Sequence, residues 1–203
     1  MKLTHDSPGY RIDPCKIAFD IDGVVADTMD VFVRLAHERY GLTSMSKQDL
    51  SCYNLYECLG LEKDVIDDLI CLTLDDDHTM QIPPVPGAPE VLTELSRITP
   101  LRFVTARIWP ESITAWLFQL LPDVPAERIS VVASGDPSAK LHILNDLEVS
   151  YFVEDRIETC RQLQDAGIFP FLFDQPWNRG QQADTFIRIE NWMQLKEWLF
   201  PPV

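Results

Sequence analysis

Six short apolar runs, separated by stretches of helical periodicity, constrain the fold more than any other feature of this sequence. The runs are "KIAFD" (16–20), "LRFVT" (101–105), "ISVVA" (129–133), "SYFVED" (150–155), "PFLFD" (170–174) and "FIRI" (186–189). Near-continuous apolar strands are buried on both faces, and strands that alternate with helices predict a parallel sheet wound on both sides. The intervening helices have readable ends. In "PGAPEVLTELSRI", Pro89 suits a first turn, and Val91, Leu92, Leu95 and Ile98 recur at helical spacing. "WPESITAWLFQLL" also begins with proline, Asp136 or Ser138 can cap "DPSAKLHILNDL", and "IETCRQLQDAG" closes on Gly167. "ENWMQLKEWLF" supplies a last helix. The fold class expected is α/β, a doubly wound Rossmann-like parallel sheet.

One interval breaks the rhythm. From Asp27 to Pro84 the patterns are helical only: "DVFVRLAHERYG", "SKQDLSCYNLYECLG" and "EKDVIDDLICLTL". Ordinary crossovers hold one helix between loops of about 2–6 residues. A small helical insertion after the first strand, hinged at each end, is the simplest account. The division expected is a core of 1–27 and 85–203 with the insertion at 28–84. Within it, the acidic run Asp75–Asp77 reads as a solvated linker, with His78 a weak metal candidate. Phe32, Tyr40, Tyr53 and Tyr56 read mainly as packing of the insertion.

The net charge of the 203 residues is −15, which opposes binding to a nucleic-acid backbone but not to a small anion beside a metal ion. Five cysteines, an odd number without a C-x-x-C pair, read as reduced, mostly buried thiols of a cytoplasmic protein. No apolar run approaches the roughly 20 residues needed to span a bilayer, and "MKLTHDSPGYRIDP" lacks the apolar core of a signal peptide. No nucleic-acid or membrane partner is expected, and the oligomeric state is left open.

Chemistry is expected at the carboxyl ends of the strands, where open parallel sheets bind ligands. The first run ends in Asp20 and Asp22, the second in Thr105, and the fourth in Glu154 and Asp155, while Lys140 lies near the helix start after the third. Four carboxylates on one edge repel one another unless a cation sits among them. Mg²⁺, a hard ion that takes oxygen ligands and substrate phosphate, fits that set, and no His/Cys cluster points to zinc. Asp20, Asp22, Asp155 and Glu154 are therefore the candidate metal ligands, with Glu154 acting directly or through water. Asp20 can serve as nucleophile, giving an aspartyl-phosphate, and Asp22 as general acid and base. Gly23 lets the chain turn sharply behind them. Thr105 and nearby amides suit phosphoryl oxygens, and Lys140 offsets their charge.

"DIDGVVADT" resembles the first motif of haloacid-dehalogenase-like (HAD) phosphatases. "FVTAR" resembles the second, Lys140 stands where the third supplies its lysine, and "FVEDR" is similar to the acidic fourth. The resemblance runs from Lys16 to about Phe173, and the insertion lies where this superfamily places its C1-type cap. "DIDGVVAD", "PPVPGAPEVLTEL" and the small cap resemble the 5′(3′)-deoxyribonucleotidase group and the bacterial nucleotidases near it. "DLSCYNLYECLG" and "FDQPWNR" add to that likeness. A departure is Thr105-Ala106-Arg107, where that group often has Thr-Ser-Pro. The resemblance implies a Mg²⁺-dependent phosphomonoesterase, with nucleoside monophosphates as candidate substrates. Ala106, Arg107, Tyr53, Tyr56 and Trp177 are the candidate substrate-binding residues, and Arg156 is a further candidate contact. Trp192 and Trp198 read as packing, and His5, His37 and His142 as structural or surface residues. A phosphosugar phosphatase or mutase of the same fold is the competing enzyme reading, and a regulatory protein on this scaffold the non-catalytic one. A response-regulator receiver fits poorly, because "ISVVA" ends without a phosphoacceptor aspartate.

Overall fold

A computed structural model describes residues 12–180 and 186–200. His5 lies outside them, as do the ends of the expected core segments. Six parallel strands form one sheet: β1 (Ile17–Phe19), β2 (Leu101–Thr105), β3 (Ile129–Ala133), β4 (Tyr151–Glu154), β5 (Phe169–Phe173) and β6 (Ile187–Ile189). Their spatial order is β3-β2-β1-β4-β5-β6, so β1 is central. Phe19 stands beside Phe103 of β2 and Val153 of β4. The chain reverses its direction of travel across the sheet at β1, and a crevice for ligands opens at such a switch point.

The side-chain period of two sorts the strand residues between the two faces. Ala18, Val104 and Phe152 pack with Leu144 and Leu163 of two helices, α7 (Lys140–Asp146) and α8 (Ile157–Asp165). Ile17, Phe19, Phe103 and Phe171 join a larger cluster on the other face. That cluster holds Val91 and Leu95 of α5 (Ala88–Ser96), Trp116 of α6 (Glu111–Leu120), and Trp192 of α9 (Trp192–Leu199). Trp192 is fully buried, stacks 5.5 Å from the Phe19 ring, and donates from Nε1 to the carbonyl of Val24 at 2.8 Å. One indole thus packs the sheet and pins the loop that follows β1. Trp198 is buried nearby against Phe171.

The insertion is helical: α1 (Thr28–Tyr40), α2 (Leu55–Cys58), α3 (Lys63–Thr73) and α4 (Asp76–Thr79). Its core includes Val31, Phe32, Leu35, Ile66 and Leu69, continuous with the larger sheet cluster. Its two ends meet: Ala26 bridges Pro84, the amide of Asp27 donates to Pro83, and that of Val85 to Val25. The run Asp75–Asp77 is not a linker. Asp75 accepts from the backbone amide of His78 at 2.7 Å and starts α4, so the first acid satisfies orphan amides and the next two favour the positive helix end. His78 is paired with Asp75, and His37 Nε2 is bonded to the carbonyl of Met45.

Candidate active site

The loop after β1 carries Asp20, Asp22 and Gly23. Asp20 is buried. One oxygen accepts from the amide of Ile21 at 2.7 Å, and the other lies 2.7 Å from Lys140 Nζ. Lys140 opens α7, is also buried, and reaches Glu154 Oε2 at 2.9 Å. Glu154 Oε1 accepts from the amides of Asp155 and Arg156, so both its oxygens are engaged. Asp155 accepts from Trp177 Nε1 at 2.8 Å, and its carbonyl accepts from Asn178. Gly23 has φ 79°, and a Cβ there would stand 2.3 Å from Asp155 Oδ2. Only glycine lets the loop pass so close to that carboxylate.

Asp20, Glu154 and Asp155 place one oxygen each within 4.8 Å of one another. Like charges at 4.8 Å in an effective dielectric of about 20 repel by roughly 3 kcal/mol. Burial, with Glu154 nearby, pushes the Asp20 carboxyl well above its ordinary range despite Lys140, and burial with Glu154 and Asp20 does the same to Asp155. Burial would also raise Glu154, but Lys140 and the bonded amides bring it below the usual value. Lys140, which burial alone would discharge, is held charged by Asp20 and Glu154. One ammonium for three buried acids leaves negative charge uncompensated, and an all-oxygen donor set fits a hard divalent cation.

Asp22 stands outside that group. Its carboxylate is gripped by Arg107, with Nε at 3.0 Å from one oxygen and Nη2 at 2.8 Å from the other. Thr28 donates to the oxygen bonded by Nη2, and Thr105 reaches the one bonded by Nε at 3.4 Å. Although burial raises its pKa, Arg107 and Thr28 bring Asp22 below the ordinary carboxylate range. Asp22, expected among the metal ligands, lies outside the Asp20–Glu154–Asp155 trio, and four donors engage its carboxylate. Thr105 is fully buried, and its hydroxyl also accepts from the amide of Arg107.

A cavity of about 330 Å³ opens above these groups, between sheet edge and insertion. Asp20, Asp22, Ala106, Arg107, Asp155 and Trp177 border its core side, and Met29, Leu55, Ile70, Leu74, Tyr53 and Tyr56 its far side. Glu154 and Lys140 lie beneath it. Both tyrosines line the cavity but are engaged elsewhere. Tyr56 donates to Asp67, and the Arg156 guanidinium lies 4.7 Å from the Tyr53 ring centroid. Burial, together with Asp155, Glu154 and Asp20, pushes the Tyr53 phenol up. Trp177 shares the cavity wall with a fixed bond to Asp155.

Sequence reasoning missed Thr28, Thr79, Gln175 and Lys47. Gln175 donates to the carbonyl of Gly23 at 2.6 Å, and Lys47 pairs with Asp27 under the Trp177 ring. Thr28, six positions after Asp22 at a helix start, carried a local signal. The others meet the site only across long sequence separations.

The family model described as 5′ nucleotidase, deoxy (Pyrimidine), cytosolic type C protein matches residues 14–200. The chain belongs to this family. A Halalkalibacterium halodurans protein described as "Putative nucleotidase" is 26% identical over 188 residues, covering 91% of this chain and 92% of the relative. A Clostridium acetobutylicum nucleotidase is 23% identical over 184 residues, covering 89% and 91%. Among solved structures, a HAD-superfamily hydrolase of Geobacter sulfurreducens superposes with TM-score 0.59 at 17% identity, covering 93% of this chain and 98% of that one. The CbbY protein of Rhodobacter sphaeroides, solved with phosphate, gives 0.56 at 16%, covering 88% and 95%. These structures share the HAD fold. The nucleotidase-family chain is thus a HAD-type hydrolase of phosphoric monoesters, whose substrate is a small phosphorylated molecule. No helix among the described residues is long and apolar enough to cross a membrane.

Proposed function

We propose that this phosphatase is Mg²⁺-dependent, works through an aspartyl-phosphate on Asp20, and acts on nucleoside or deoxynucleoside monophosphates. The observation that carries the reading is the buried Asp20–Lys140–Glu154–Asp155 cluster at the floor of a cavity with an apolar far wall. Asp20 and Asp155, the two acids of the cluster that border the cavity, would hold the metal, with Glu154 supporting from below. Bound Mg²⁺ would polarise the phosphoryl oxygens and offset the charge of the acids.

The chain's own groups account for the remaining steps. Lys140 fixes one Asp20 oxygen and the Ile21 amide the other, so the carboxylate is oriented before substrate arrives. An Asp20 oxygen bonds to phosphorus as the phosphorus–oxygen bond to the leaving group breaks. Asp22, protonated from solvent once substrate is bound, delivers that proton to the departing oxygen, then accepts one from the water that hydrolyses the phosphoenzyme. Ala106 and Arg107 lie where substrate oxygens enter. Residues 28–84 act as a cap, hinged where Ala26 meets Pro84, and the base rests against Met29, Leu55 and Ile70. That apolar wall favours a flat heterocycle over a sugar polyol, whose hydroxyls would be buried without partners. Contrary to the expectation of mostly buried thiols, Cys160 alone of the five is buried, but all five are free, which fits a cytoplasmic setting.

The test is a panel of ribonucleotides, deoxynucleotides, sugar phosphates and p-nitrophenyl phosphate, assayed with Mg²⁺ and after chelation. Nucleotide turnover that chelator abolishes and Mg²⁺ restores is expected. Activity confined to sugar phosphates, or undiminished by chelator, overturns the corresponding part of the reading.

A further inference from the structure

Arg107 stands out because its contacts serve the resting molecule rather than an open binding position. The side chain is buried, with Nε and Nη2 forked onto Asp22 and Nη1 donating to Thr79 Oγ1 at 2.7 Å. Thr79 is fully buried at the end of α4, on the returning arm of the insertion. With Thr28 and Thr105 added, Asp22 receives four donors, which fills the roughly four lone-pair sites of a carboxylate. So engaged, Asp22 has no lone pair for a leaving group or a water. The cavity has a complementary deficiency. Arg107 is the one cationic side chain among the described residues lining it, because Lys140 lies below, between Asp20 and Glu154. A phosphoryl dianion entering beside Asp20 meets a lining that also holds Asp22 and Asp155 and a single guanidinium. A phosphate presents to that fork the same paired oxygens as a carboxylate, with more charge.

We propose that Arg107 is a substrate-exchanged clamp: in the free enzyme it holds Asp22 as a carboxylate, and an arriving phosphoryl group takes over the guanidinium, so that the freed Asp22 takes up a proton from solvent and can pass it to the leaving oxygen. Thr79 is the pivot, keeping Nη1 while Nε and Nη2 change partner. The device couples proton transfer to occupancy, so Asp22 is free only when a phosphoryl group is present. It rests on the reading of Asp22 as the proton-transfer group.

The direct test is a crystal structure of the full chain with Mg²⁺ and inorganic phosphate. Arg107 nitrogens on a phosphate oxygen, with the fork to Asp22 opened, are expected; a fork still closed on Asp22 overturns the clamp. In solution, Arg107→Met should weaken inorganic phosphate binding about ten-fold or more, the size of a lost charge-assisted hydrogen bond. It should lower kcat/KM by one common factor across aryl phosphates of differing leaving-group acidity. Arg107→Lys should restore part of that loss, and Thr79→Val should weaken phosphate binding several-fold. Unchanged phosphate affinity in Arg107→Met overturns the proposal. So does a loss concentrated on poor leaving groups, which would make Arg107 a fixed support of Asp22. Asp22→Asn separates the two levels. If that variant keeps full activity, the proton-transfer reading fails; if it is impaired while Arg107→Met binds phosphate normally, only the clamp fails.

Discussion

Asp20 and Asp22 lie two positions apart in sequence yet occupy opposite electrostatic surroundings. Asp20 shares a buried lysine with Glu154 and faces Asp155, whereas Asp22 is saturated by a guanidinium and hydroxyls. Their amide substitutions should therefore fail differently. Asp20→Asn keeps the shape but removes the anion proposed to attack phosphorus, and kcat on the preferred phosphomonoester should fall by more than the ~10²–10⁴ typical of losing an acid or base. Asp22→Asn should fall within that smaller range. An Asp20→Asn enzyme retaining a tenth of wild-type kcat would refute the covalent route. The acids were legible because each terminates an apolar run, where an unsupported charge would be costly. Their partners were not. Arg107 lies 85 positions from Asp22, and Gln175 lies 152 from Gly23. Pairings over such separations are made by the fold and leave no local pattern. Thr105-Ala106-Arg107 was legible as a departure from the deoxyribonucleotidase pattern, but the direction in which the guanidinium points was not.

At the scale of elements, the second and third expected strands match β2 and β3 residue for residue and the other four differ by one residue at an end or both, because β-rich apolar runs bounded by polar residues carry their own limits. The insertion was legible as helical but not in its detail. Helices α2 and α4 span four residues each, too few turns to generate periodicity. The acids of Asp75–Asp77 are solvated as expected, but they start a helix rather than form a linker, since capping depends on one side chain meeting one amide. The insertion's role in substrate choice can be tested at the end of α3. Leu74 lines the cavity and is 42% exposed, so a larger residue there should fill space without disturbing the core. Leu74→Trp should lower kcat/KM for nucleoside monophosphates about ten-fold, equivalent to ~1.4 kcal/mol, and leave a small alkyl phosphate nearly unaffected. Equal losses on both would place the choice of substrate outside the insertion.

For the whole molecule, the buried acids tie stability to pH and metal. Asp20 and Asp155 have carboxyls raised in the folded state, chiefly by burial. Between the unfolded value of about 4 and those raised values, the metal-free fold binds more protons than the unfolded chain. These groups therefore stabilise it at acidic pH, and that contribution is lost as pH rises through the window. A divalent cation must displace those protons, so the rise in Tm produced by Mg²⁺ should grow with pH. Melting curves with Mg²⁺ or chelator at stepped pH should show this, and an increment that is constant or larger in acid would contradict it. The position of β1 has a different consequence. This strand, which leads to Asp20, emerges early in synthesis, but its neighbours β2 and β4 begin at Leu101 and Tyr151, and the indole that pins its loop is Trp192. A growing chain therefore carries Asp20 long before β2, β4, Lys140 or Trp192 can frame it. Vectorial synthesis makes the loop after β1, made before its partners, the last to be secured, and a ribosome-stalled fragment ending before α9 lacks the contact that fixes that loop.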